Sequence, residues 1–249
     1  MKREVDLSTA SGAGVRVALI DSGINAQHSH VGFLAGGIAL SVTEEGTVEE
    51  HSDYTDRIGH GTALAGILRA KAPRVELYAV KIFTDHLAAS MTILEAALCW
   101  AVAQQMHVIN LSLGTANADH RERLSEIVAR ANAAGTLLVA SSPPGRIDVF
   151  PAALPGVIGV AGDDRCGWSE YKYLAGDPIP FRAHPCPRPL SGPAQARNFR
   201  GHSFASAHLS ALLALLVEQH PHLTVSEAQE YLKQTSDHSE TSVSRHGIV

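Results

Sequence analysis

The sequence predicts an α/β fold in one domain: a mostly parallel central sheet with helices on both faces. Three observations predict it. Short β-branched runs alternate with helical patterns, as they do where crossover helices join parallel strands. The runs that should be central are largely apolar rather than alternating, as strands covered on both faces must be. The chain's 249 residues, 45% hydrophobic and 18% charged, suit a single core spanning 1–249 and exclude a disordered chain.

The first strand is expected at residues 15–20, a β-branched and apolar run that ends at Asp21. A helix at 61–69 follows, then a strand at 75–83 and a longer helix at 90–105. The strand at 107–111 carries Val108-Ile109-Asn110-Leu111, and a helix at 120–134 leads to the next strand, 135–140. Residues 157–161 form the last expected strand. Residues 163–200, with six prolines and no clear period, are expected to be an irregular surface excursion. The apolar run at 203–219 predicts a buried helix. In the final helix, 225–234, Thr224 and Glu227 have the spacing of a capping box. No internal repeat or low-complexity tract stands out.

Composition excludes some functions. The net charge is −5 and no Lys- or Arg-rich run occurs, so no nucleic-acid partner is expected. The apolar stretches are too short to span a bilayer, and no membrane partner is expected. Residues 1–6 pass almost directly into a strand-like segment, so no signal peptide and no prodomain ahead of Asp21 are expected. Cys99, Cys166 and Cys186 are odd in number and widely spaced, which points to a reducing compartment, and the cytoplasm is the expected one. They suit packing better than nucleophilic roles.

Three segments carry chemistry. In Ile20-Asp21-Ser22-Gly23 an apolar strand ends in a carboxylate at the carboxyl edge of the sheet, where open α/β folds gather their sites. Alone, Asp21 could equally cap a turn. In Gly59-His60-Gly61-Thr62 a histidine stands between two glycines at a helix start, a pattern that packing explains poorly. A solvent-facing loop histidine is the other reading. In Gly201-His202-Ser203-Phe204-Ala205-Ser206, Ser203 opens the most apolar helix, where free N–H groups and the dipole favour negative charge. By itself it could be only an N-cap.

Taken together, Asp, His and Ser in this chain order resemble the subtilisin-like serine proteases. The resemblance runs from about residue 15 to 232. Asp21-Ser22-Gly23-Ile24 with His28, Gly59-His60-Gly61-Thr62 with Ala65-Gly66, and Gly201 to Ser206 with His208 look like the three catalytic motifs. Leu77 to Lys81, Ile109 to Gly114, and Phe150-Pro151-Ala152 with Pro155 resemble the connecting segments, the last being the family's cis-proline stretch. The resemblance implies a single-domain subtilisin-like fold and a serine endopeptidase with Asp21, His60 and Ser203 as its triad. It implies a peptide or protein substrate, bound extended along Ser112-Leu113-Gly114 and residues 86–90, with a side-chain pocket between Leu113 and Ala140-Ser141. Val149 stands where the family often has glycine, which implies a shallow pocket.

The pattern departs from the family at the oxyanion site. By strand-end alignment its asparagine falls at Pro143, which has no donor, and Ala207 replaces a proline. Ser142 and His202 are the candidate replacements, His202 standing where threonine is usual. The expectation is a slow, substrate-restricted peptidase, for example one that processes a precursor peptide. The rival is a peptide-binding pseudo-protease.

No cofactor and no metal are expected. The stub Arg69 to Arg74 lacks the oxygen ligands of the calcium loop found in many relatives. His28, His30 and His51 lack zinc spacing. Gly12-Ala13-Gly14 precedes its strand rather than following it, so it is no phosphate loop.

Overall fold

The computed structural model describes residues 7–84, 86–190, 194 and 198–239. The expectation about residues 1–6 lies outside these. The chain builds a nine-stranded sheet: β1 (Arg16–Asp21), β2 (Gly36–Val42), β3 (Val48–His51), β4 (Glu76–Lys81), β5 (Val108–Leu111), β6 (Leu137–Ser141), β7 (Ile158–Gly162), β8 (Tyr171–Tyr173) and β9 (Phe181–Ala183). The helices are α1 (His60–Lys71), α2 (Met91–Ala103), α3 (Arg121–Ala133), α4 (His202–Gln219) and α5 (Val225–Ser239). The strand order is β3-β2-β4-β1-β5-β6-β7-β9-β8. All neighbours are parallel except the two edge pairs, β2 with β3 and β8 with β9.

Every strand and helix expected from the sequence is present, with ends shifted by a few residues. The fully apolar runs behave as argued: all four residues of β5 and all five of β6 are buried. One face of the sheet packs α1, α4 and α5 through Leu64, Ile67, Leu68, Leu209, Leu213, Leu216 and Leu232. The other packs α2 and α3 through Leu94, Leu98, Leu124 and Ile127. The Thr224–Glu227 capping box closes at both ends, since Thr224 N–H donates to the Glu227 carboxylate at 2.9 Å and Glu227 N–H to Thr224 Oγ1 at 3.3 Å.

Four strands escaped the sequence analysis, and two correct it. Residues 163–200 are not wholly irregular: β9 joins β7 in parallel and β8 closes that edge. Each is only three residues long, and Arg182 is buried at the centre of β9 with its guanidinium paired to Asp177. A buried arginine breaks the apolar run that would have signalled a strand. β2 opens on Gly36-Gly37, and β3 (Val-Glu-Glu-His) is a charged edge strand of the kind that resists further pairing.

The topology fixes where a site can form. From β1 the chain builds out to β2, β3 and β4 on one side, then crosses to β5, β6 and β7 on the other. The carboxyl ends of β1 and β5 therefore flank a point where strand order reverses, and such points leave a crevice. Asp21 ends β1, and Ser112 follows Leu111, the last residue of β5.

Candidate active site

Asp21 lies in that crevice with no exposed surface. A buried carboxylate needs donors for its lone pairs, and this one has them. Its Oδ1 accepts from Ser22 N–H at 2.8 Å and lies 2.8 Å from His60 Nδ1. Its Oδ2 accepts from the Ser112 hydroxyl. Asp21 thus caps its own turn and also holds the histidine, so the two readings left open by the sequence are both realised.

His60 is the first residue of α1 and is only 7% exposed, so it is not a solvent-facing loop histidine. Glycine on either side makes this possible. Gly59 has φ +91°, a left-handed conformation that side chains strain to adopt. A Cβ on Gly61 would sit 2.2 Å from Gly23 O, so only glycine lets the helix start press against the turn after β1. Asp56 locks this arrangement. It accepts from Ile58 and Gly59 N–H at 2.9 Å each, from Thr62 N–H at 2.8 Å, and from the Ser22 hydroxyl at 2.9 Å. Burial alone would raise its carboxyl pKa, but the bonds from Thr62, Gly59 and Ile58 outweigh it and hold the group below its usual range. The ionised form at a helix amino end also suits the dipole.

Ser203 is the second residue of α4, whose N-cap is Gly201. It is therefore not the cap; its hydroxyl accepts nothing from the helix start and donates to Ser112 O at 3.1 Å. Phe204 packs beside the imidazole, with ring centroids 5.3 Å apart. The three residues far apart in sequence thus meet in one cluster. Among the described residues no hydrogen bond joins His60 to Ser203. Ser112 instead bridges Asp21 and Ser203, its hydroxyl on the Asp21 carboxylate and its carbonyl accepting from the Ser203 hydroxyl. Catalytic hydrogen bonds in unliganded enzymes are often long or poorly aligned and tighten when substrate binds.

The two oxyanion candidates differ. Ser142 is buried, and its hydroxyl donates to Pro143 O at 3.1 Å, so its proton is already committed. His202 Nδ1 accepts from Gly162 N–H at 3.0 Å. That bond leaves the ring proton on Nε2, available as a donor. Burial, then the charge of Arg182, lowers its pKa and favours this neutral form.

The substrate-binding candidates are only partly brought together. Leu113 and Gly114 line a cavity of about 270 Å3, but it opens toward Leu87, Ala88, Ser90 and Met91. Ala140 is fully buried and Ser141 nearly so, so neither presents surface to a ligand here. The side-chain pocket expected between Leu113 and Ala140-Ser141 is therefore bounded on the β6 side by buried residues. Val149 lies directly over Gly114, where an added Cβ would come within 2.8 Å of its methyl. An antiparallel bridge between Thr115 and Phe150 holds it there, next to the cis Phe150–Pro151 bond.

Sequence reasoning missed the bridging role of Ser112, the Asp56 lock, and Phe199, whose ring lies edge-on to His60 at 6.4 Å. A carboxylate four residues before the histidine is a signal that could have found Asp56. The role of Ser112 depends on the pairing of β1 with β5, which no local pattern announces.

Comparisons with known proteins bear on the family and the fold. A family model described as the subtilase family matches residues 12–178 and 186–247. A thermostable alkaline protease of Halalkalibacterium halodurans is 32% identical over 238 residues, covering 90% of this chain and 63% of that protein. Subtilisin DY of Bacillus licheniformis is 28% identical over 248 residues, covering 90% of this chain and 84% of the other. The chain thus spans less than two thirds of the alkaline protease's length. The crystal structure of a cold adapted subtilisin-like serine proteinase superposes with a TM-score of 0.69 at 19% identity, covering 88% of this chain and 81% of that one; it bears on the fold alone.

Proposed function

This chain belongs to the subtilase family, and on that premise we propose that it is a serine endopeptidase working through an acyl-enzyme on Ser203. The observation that carries the reading is the buried 2.8 Å contact between His60 Nδ1 and Asp21, in a cluster that Ser112 ties to the Ser203 hydroxyl.

The chemistry follows from these groups. As the Ser203 oxygen attacks the substrate carbonyl carbon, its proton passes to His60 Nε2. Asp21, fixed on Nδ1, stabilises the imidazolium without taking the proton. The imidazolium then protonates the leaving amine as the C–N bond breaks, leaving an ester on Ser203. Water, deprotonated by the same imidazole, hydrolyses that ester. The backbone N–H of Ser203, at the unpaired start of α4, is one donor to the oxyanion. With no donor on Pro143, turnover is slow, which restricts the enzyme to well-bound substrates such as a precursor peptide. None of Cys99, Cys166 and Cys186 is in a disulfide, in keeping with a cytoplasmic setting.

A fluorophosphonate probe tests the reading. It is expected to label the chain and to lose all labelling in Ser203→Ala. Absent labelling at high probe concentration supports the second reading, a peptide-binding module. That reading is favoured by the Ser203 hydroxyl resting on Ser112 O rather than on His60.

Val149 sets a specificity prediction. Its methyl over Gly114 fills space for the side chain before the cut, so Ala- or Leu-terminated chromogenic peptides are expected to outrun Phe. Val149→Gly is expected to raise kcat/KM for Phe about tenfold, as about two buried methylenes of space allow. A clear Phe preference in the unaltered chain sinks this.

A further inference from the structure

A second, larger cavity opens beside His60 on the α1 side of the sheet, across the rim from the cavity at Leu113. Its volume is about 980 Å3, at the upper end of the ~300–1,000 Å3 range of pockets that bury most of a ligand. Gly59 and Phe199 form its edge against the histidine, and Trp168 forms part of its wall. Its surface is mainly apolar and its rim is positive. Arg57 and Arg188 stand there with His28 and His30, Arg57 also meeting Asp53 in an exposed pair at 3.3 Å. Asp56, the only carboxylate among the described lining residues, is taken up by its own hydrogen bonds from Ile58, Gly59, Thr62 and Ser22. Arg188 Nη1 lies 2.9 and 3.0 Å from the ring nitrogens of His30. The His30 pKa is lowered first by burial and then by Arg188 and His28, so the arginines rather than this ring carry the rim's charge. On a chain of net charge −5 this is a local reversal of sign.

From this geometry we infer that the cavity receives the substrate segment on the carboxyl-terminal side of the cut, selecting a large apolar side chain flanked by Asp or Glu. The inference rests on the peptidase reading above. A strand lying along Ser112-Leu113-Gly114 reaches Ser203 from the α2 side of the sheet. Beyond the scissile bond it leaves across the rim past His60, where Gly59 and Phe199 open into the cavity. Apolar walls take the side chain, and the two arginines take its acidic neighbours. Rim charges of this kind act on encounter and selection rather than on bond breaking.

Fluorogenic peptides sharing one sequence before the cut, and carrying Phe-Glu-Glu, Phe-Lys-Lys or Ala-Ser-Ser after it, test the inference. kcat/KM for the first is expected to exceed the others about tenfold, and Arg57→Glu with Arg188→Glu to reverse the order of the first two. Equal values across the set, or a preference that survives the double charge reversal, overturn the inference and leave the peptidase reading standing. If nothing is cut, the peptidase reading is what has failed. The same downstream segments, as hexapeptides, are then titrated against Ser203→Ala carrying Trp100→Phe, with Trp168 as the remaining indole. Saturation by the Phe-Glu-Glu peptide at about tenfold lower concentration supports the site. An equal or absent response to all three overturns it.

Discussion

Asp21→Ala is expected to lower kcat about 10⁴-fold, and Asp21→Asn only about 10- to 100-fold. The first figure is of the size measured for knocking out the aspartate of a subtilisin; in a chymotrypsin-like triad asparagine costs as much, because it imposes the wrong tautomer. Alanine removes the acceptor of the His60, Ser22 and Ser112 bonds at once, at a position with no exposed surface. The milder effect of asparagine follows from the local geometry. Ser22 N–H donates to Oδ1, the same atom that meets His60 Nδ1. An amide at this position therefore keeps its oxygen there and turns its NH₂ toward Ser112, whose hydroxyl can accept as well as donate. The imidazole stays in its working tautomer and only the charge facing the imidazolium is lost. A hydrogen bond to a charged group is worth about 1.5–3 kcal/mol, which gives the smaller factor. Steady-state kinetics on a chromogenic peptide decides it. If asparagine costs as much as alanine, the amide has flipped and Ser22 N–H does not govern its orientation.

How much of this was legible in the sequence depends on how local each signal was. β5 and β6 announced themselves because burial on both faces demands unbroken apolar runs. His60 was legible because Gly59 and Gly61 have no use other than a left-handed turn and a close backbone approach. β9 was illegible for the converse reason: its core position is held by Arg182, affordable only because Asp177, five residues earlier, pairs with it. The depth at which Ala140 and Ser141 sit was not legible, because sequence order gives strand ends but not how tightly β6 packs between β5 and β7. Ser112 could be assigned to substrate by resemblance, yet its bond to Asp21 arises from the β1–β5 register, in which Ile20 pairs with Leu111. Chemistry carried by one residue type at one turn was readable; chemistry shared across neighbouring strands was not.

That distinction bears most on the oxyanion, where the sequence offered two candidates and the geometry separates them. Ser142→Ala is expected to leave kcat within about twofold, because its hydroxyl proton already rests on Pro143 O. His202→Phe, which keeps the ring and removes the Nε2 proton, is expected to lower kcat about 10²–10³-fold with KM little changed. That range is the measured effect of deleting one oxyanion donor in a subtilisin, a relative of this chain, and is adopted on that ground. The Gly162 bond fixes which nitrogen carries the proton, and burial together with Arg182 keeps the ring neutral from mildly acidic pH upward. A dependence of kcat on His202 titration above neutrality is therefore not expected. Pro143→Asn supplies an amide on the neighbouring strand end and is expected to raise kcat. In that background His202→Phe should cost far less than in the native chain, since one donor then covers for the other. Such non-additivity is what a double-mutant cycle reads for two groups serving one atom. Additive losses, with His202→Phe equally damaging whether Pro143 is kept or replaced, would mean that the imidazole holds β7 against α4 and never meets the oxyanion.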